Sequence, residues 1–168
     1  MRLLLLATLP LLLASCAGYQ QGGNKPVALA HISSIHVAMV RNDTQIPRAA
    51  AYATNAIADA ILLDGTYRLG SGSNADARLD ATLREISYRQ VRSSRFDSQR
   101  SEELEMSVVY EWSLVEADNP LHILQRGRSI GNTTFFVDPN LQTARQTALP
   151  DALKRAAESM IARLADGF

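Results

Sequence analysis

Glu103-Leu-Glu-Met-Ser-Val-Val-Tyr-Glu-Trp-Ser-Leu114 is the stretch that decides the fold. Leu104, Met106, Val108, Tyr110, Trp112 and Leu114 share one parity, and Glu103, Glu105, Ser107, Glu111 and Ser113 the other. Side chains of a strand point alternately to its two faces, so this pattern predicts a strand with one face in a core and the other in water. Upstream, Ala77, Leu79, Ala81 and Leu83 alternate with Arg78, Asp80, Thr82 and Arg84, and the apolar positions then move to Ile86 and Tyr88. A change of parity inside one strand predicts a bulge near Arg84 and Glu85. The polar, basic run from Arg92 to Ser101 between the two strands reads as a hairpin tip.

Working outward, Asp118-Asn119-Pro120 turns the chain, and Ile123 to Val137 is extended, with a row of small residues at Gly127, Ser129, Gly131 and Thr133. On the N-terminal side, Ile32 to Val40 alternates with Ile35, Val37 and Met39 on one face, and Asn42-Asp43-Thr44 makes a turn. From Pro47 the period changes to that of a helix: Ala49, Ala53, Ala56, Ile57, Ala60 and Ile61 recur at three- and four-residue spacings until Asp64-Gly65 closes the segment. Thr66 to Leu69 reads as a short additional strand, and Gly70 to Asn74 as a polar loop. A second helix carries Leu149, Leu153, Ala156, Met160, Ile161 and Leu164 as its stripe, with Pro150 expected in its first turn; residues 140–147 read as either an extra helical turn or a loop. The expected architecture is α+β: two helices on one face of a single mixed or antiparallel sheet of four strands, five with Thr66 to Leu69, in the order β-α-(β)-β-β-β-α.

The chain has 168 residues, 46% of them apolar, with 17 Lys+Arg against 17 Asp+Glu and one cysteine. Neutrality argues against a nucleic-acid binder that works by covering phosphates. A lone cysteine excludes a disulfide scaffold and a multi-thiolate metal site. Met1-Arg2 is a short cationic start, Leu3 to Leu13 an apolar run too short to span a bilayer, and Leu13-Ala-Ser-Cys16 follows at once. This ending resembles the lipobox of bacterial lipoproteins, in which the cysteine thiol receives a diacylglyceryl group before cleavage. The resulting organisation is a signal peptide over 1–15, the lipidated Cys16 and a short tether over 16–30, and a single domain over 31–168. Ala17 after the cysteine resembles the pattern that sends such proteins to the outer membrane.

Nothing points to catalysis. His31, His36 and His122 show no metal-ligand spacing, and Asp76 with Asp80, or Glu103 with Glu105, read as solvated charge on strand faces. Gly70-Ser-Gly-Ser73 lacks the lysine and following helix of a phosphate cradle. The expectation is therefore a binding or assembly protein without enzyme activity, metal or cofactor. The arginines say more. All basic residues except Lys25 and Lys154 are Arg, and Arg84, Arg89, Arg92, Arg95 and Arg100 span one hairpin. A guanidinium is a planar fork of donors suited to phosphate or carboxylate, so this tip can meet an anionic glycolipid or an acidic protein surface, or simply solubilise the hairpin.

Taken together, the lipobox, Gly18-Tyr19, the strand and turn Ile35 to Thr44, the helix after Pro47, Ala75-Asp-Ala77 at the start of a long strand, and the strand-strand-helix finish resemble the LPS-assembly lipoprotein family LptE. The resemblance implies a non-enzymatic, lipid-anchored protein on the periplasmic face of the outer membrane. It would plug the large β-barrel LptD, aid its folding and contact lipopolysaccharide. Arg89, Arg92, Arg95 and Arg100 are the expected lipopolysaccharide contacts, by their place in the hairpin. The competing class is a lipoprotein regulator of a peptidoglycan synthase, of the penicillin-binding-protein activator type. It shares the strand, turn and helix opening but usually needs a long tether. Ala17 to Ala30 reaches at most ~50 Å, which favours a partner at the membrane.

Overall fold

A computed structural model describes residues 25–93, 101–137 and 140–166; Cys16, the leader, Arg95 and Arg100 lie outside the described residues. The chain forms β1 (Ser34–Val37), β2 (Arg41–Asn42), α1 (Ala49–Asp64), β3 (Arg68–Leu69), β4 (Ala77–Ser93), β5 (Ser101–Glu116), β6 (Ile123–Phe136) and α2 (Leu141–Asp166). The sheet order is β3-β1-β4-β5-β6, with β2 also on β4. β1 and β2 run parallel to β4, whereas β4, β5 and β6 form an antiparallel meander. The α+β class is as expected. The sheet has six strands, more than the four or five expected, because the first extended segment is broken in two and the short β3 pairs with β1.

That break has a geometric cause. Val37 pairs with Leu79 and Arg41 with Thr82, so four steps along the first segment answer three steps along β4. The extra residue inverts the parity. Met39, expected inside, is 71% exposed, and Val40 is buried instead. The Val40 amide donates to Thr54 Oγ1 at 3.0 Å, and the Thr54 hydroxyl in turn donates to the Ala50 carbonyl, so α1 satisfies a donor that the ladder leaves free. In β4 the register slips between Leu83 and Glu85, where the apolar pattern changes parity.

Both helices cover the face that carries Leu79, Leu83, Met106, Val108, Tyr110, Trp112 and Leu114, all buried. α1 lies close because its buried residues are Ala49, Ala53, Ile57, Ala60 and Ile61, and Gly65 ends it in the left-handed conformation, φ 76°, with its amide donating to the Ile61 carbonyl. α2 is longer than its stripe suggested. Asn140 caps it, Oδ1 accepting from the amides of Gln142 and Thr143 at 3.1 and 3.2 Å, so residues 141–147 are helical and Pro150 stands well inside the helix, not in its first turn. Pro150 and Gln146, whose carbonyl loses its intrahelical donor there, are both exposed, and water can supply that bond. The core also begins before the expected domain start at residue 31. Leu29 is buried, and Lys25 Nζ donates to the Ile32 carbonyl while lying 5.0 Å from the centre of the Tyr67 ring, so Lys25 and Leu29 pack on the domain.

Candidate functional site: the open sheet face and its hairpin

The helices leave the other face of β4, β5 and β6 uncovered. Strand register arranges it in rows: Asp80, Ser113 and Arg126; then Thr82, Glu111 and Arg128; then Arg89, Glu105 and Thr134; then Arg92, Glu103 and Phe136. β2 adds Arg41 beside Thr82. Two of the expected contact residues are therefore on this face. Arg89 Nε and Nη2 donate to Glu105 Oε1 at 3.3 and 3.0 Å, and Arg92 Nε lies 3.8 Å from Glu103 Oε2. The guanidinium side chains are 72% and 66% exposed while their carboxylate partners are 24% and 16% exposed. Each arginine thus keeps donors turned to solvent, but its charge is offset by the glutamate behind it. Exposed pairs of this kind contribute little to stability, so their geometry is free to serve recognition.

Closer to the centre of the sheet the balance changes. Arg78 forms a fork on Asp80, with Nη2 to Oδ2 at 2.8 Å, and this pairing raises the Arg78 pKa above its ordinary value. Arg84 lies between Asp43, its hydrogen-bonded partner, and Glu111, whose Oε2 is 2.9 Å from Nε; Asp43 first and Glu111 second raise its pKa. The acidic groups of this region are therefore already engaged. Arg126 and Arg128 have no carboxylate within ion-pair distance among the described residues, and Arg41 makes its bond to a neutral partner, Nε to Thr82 Oγ1 at 3.2 Å. These three line a shallow concavity of about 550 Å³ with Asp80, Thr82, Glu111 and Ser113 on its floor and walls. A surface that offers three guanidinium groups without carboxylate partners, beside carboxylates already engaged, attracts phosphate or carboxylate groups.

Arg126 and Arg128 were legible and were missed. They alternate with Gly127 and Ser129, and those small residues face the helices for a packing reason. A Cβ on Gly127 would stand 2.6 Å from Trp112 Cζ2, and one on Gly131 would stand 2.2 Å from the Ala152 carbonyl oxygen. The indole Nε1 donates to Ser129 Oγ at 3.0 Å. With the small row turned inward, the arginines must point out. Arg41 is different, since only the register of β2 on β4 brings it to the same patch.

The remaining chemistry-bearing residues have structural partners. Asp76 and Asp80 do not meet. Asp76 Oδ2 accepts from the amides of Ser33 and Ser34 at 2.8 and 2.9 Å and from the Ser34 hydroxyl, and these bonds, the Ser33 amide first, hold its pKa below the ordinary carboxylate value. His36 Nδ1 accepts from the Gly72 amide at 3.2 Å and so pins the polar loop. His31 and His122 flank Glu116, at 3.9 and 3.0 Å. Among the described residues no group of three or more His, Cys, Asp or Glu is placed to hold a metal ion.

Residues 32–164 match the family model described as LptE, lipopolysaccharide-assembly. No curated protein sequence matches the chain. Three solved structures are similar over most of their length. Uncharacterized lipoprotein B from Nitrosomonas europaea is 15% identical, with 88% of this chain and 90% of that one covered and a TM-score of 0.51. A minor lipoprotein from Acinetobacter baumannii is 7% identical, with coverage of 79% and 92% and a TM-score of 0.52. A Xanthomonas campestris protein is 11% identical, with coverage of 83% and 88% and a TM-score of 0.53. At such identities the likeness is one of fold.

Proposed function

Because the chain belongs to the lipopolysaccharide-assembly LptE family, whose model matches residues 32–164, we propose that it is an outer-membrane lipoprotein of the lipopolysaccharide transport machinery. After removal of residues 1–15 it is anchored through acylated Cys16 on the periplasmic face. There it seats as a plug in the large β-barrel LptD, assists the folding of that barrel and contacts lipopolysaccharide in transit. The family match carries this reading. The open sheet face supports it on physical grounds. A barrel lumen is lined by polar side chains, and a sheet whose outer face is charged and hydrogen-bonded can occupy it without burying an apolar surface against water.

The lipopolysaccharide contact falls to the arginines. Phosphate groups take bidentate bonds from guanidinium, and the face offers two kinds. Arg41, Arg126 and Arg128 have no carboxylate partner among the described residues, whereas Arg89 and Arg92 stand on glutamates near the expected hairpin tip that holds Arg95 and Arg100. The role requires positioning and release of a ligand and no covalent step.

Two measurements test this. Labelled palmitate should enter the wild-type protein and not Cys16→Ser. Replacing Arg89, Arg92, Arg95 and Arg100 together by Glu should weaken binding to purified lipopolysaccharide at least tenfold, on the order of 1.4 kcal/mol, with the melting temperature nearly unchanged. Binding at the wild-type level would assign these arginines to solubility.

A further inference from the structure

The two ends of the domain differ. One end gathers the described N-terminus, the start of β4, the β5–β6 turn and the last turns of both helices. Lys25 sits on Ile32 and Tyr67, Tyr67 Oη donates to the Leu164 carbonyl, Asp76 binds the amides of Ser33 and Ser34, the Ala117 amide donates to the Asp76 carbonyl, and His31 and His122 meet Glu116. Around this polar knot stand large apolar side chains with no cover: Val27 is 94% exposed, Leu121 92%, Leu63 in the last turn of α1 73%, and Ile123 50%. Neither backbone geometry nor core packing asks for a leucine at the tip of the β5–β6 turn.

We propose that this end is a lipid-contacting surface, with Val27 and Leu121 inserted at the headgroup–acyl boundary of the membrane that holds the anchor. The inference rests on acylation of Cys16 as proposed above. Its geometric warrant is the short connection. Between Cys16 and Lys25 the chain can reach about 30 Å at full extension, whereas the 17 residues of β4 run about 55 Å from this end towards the hairpin. The anchor therefore keeps the near end within about 30 Å of the bilayer, and before a barrel receives the domain the hairpin stands clear of the membrane when the domain is upright. Apolar side chains held at an interface gain from removal of their surface from water, and a second, weak contact of this kind orients a protein whose acyl chains already supply the affinity. No helix among the described residues is long and apolar enough to cross the membrane, so the contact is interfacial.

The test uses the full-length lipidated protein in vesicles of phosphatidylethanolamine and phosphatidylglycerol. Acylation occupies Cys16, the only native cysteine, so Leu121→Cys and Val91→Cys each take a single environment-sensitive nitrobenzoxadiazole label. Flotation reports the anchor, and quenching by lipids with a spin label on the acyl chain reports the contact. The expected result is flotation of both proteins with several-fold stronger quenching at position 121 than at position 91, and a loss of most of that quenching when Val27→Asp is added. Flotation without quenching at 121 overturns the lipid contact and leaves the anchor standing. Equal quenching at both positions overturns the upright orientation and with it the proposal. Failure to float overturns the anchor itself, and the proposal falls with it.

Discussion

Asp76 and Tyr110 show how single polar groups act in opposite directions. Asp76 is exposed, yet it closes the start of β4 onto β1 through three bonds to one oxygen. Its folded pKa is depressed, so its contribution is present above the ordinary value of 3.8 and is lost as pH falls through the lower folded value. Asp76→Ala should lower stability by about 1 kcal/mol at pH 7. In urea unfolding the gap from wild type should shrink steadily below pH 4; a gap independent of pH would assign the loss to packing. Tyr110 is fully buried, burial pushes its pKa far up, and its hydroxyl has no partner among the described residues. An unsatisfied buried hydroxyl costs about 1–3 kcal/mol, so Tyr110→Phe should raise the melting temperature, and a drop would reveal a bond that the hydroxyl makes.

At the scale of elements, β6 and α2 approach closely at Gly131. Gly131 is required because the backbone of α2 occupies the place of a Cβ, with the Ala156 nitrogen 2.3 Å from it. Gly131→Ala must push helix from strand and should cost about 1–3 kcal/mol, read as a lower urea midpoint. Gly127→Ala meets the indole ring, so a smaller loss is expected where the ring can tilt. The strands and their parity changes were readable because a half-buried sheet writes its period into the sequence, and the slip near Arg84 and Glu85 was expected from Ile86 and Tyr88. The break after Val37 was not, since Ile35, Val37, Met39 and the neighbouring Val40 fit either parity. The start of α2 at Leu141 was also hidden, because Pro150 reads as a helix opening and its tolerance depends on which side of the helix faces water.

At the scale of the whole molecule, the fold has three different surfaces: a helical face, an open charged sheet face, and an end that carries the exposed side chains of Val27, Leu121 and Ile123. The hairpin arginines were legible as a cluster along the chain. Their pairing with Glu103 and Glu105, and the gathering of Arg41 with Arg126 and Arg128, depend on strand order and register, which pattern alone does not supply. The proposed role requires a partner large enough to receive this domain at the membrane. Affinity purification of the tagged, lipidated protein from detergent-solubilised outer membranes measures that directly. Recovery of a large β-barrel in near-equimolar amount is the predicted result, and recovery of a peptidoglycan synthase with no barrel would contradict it.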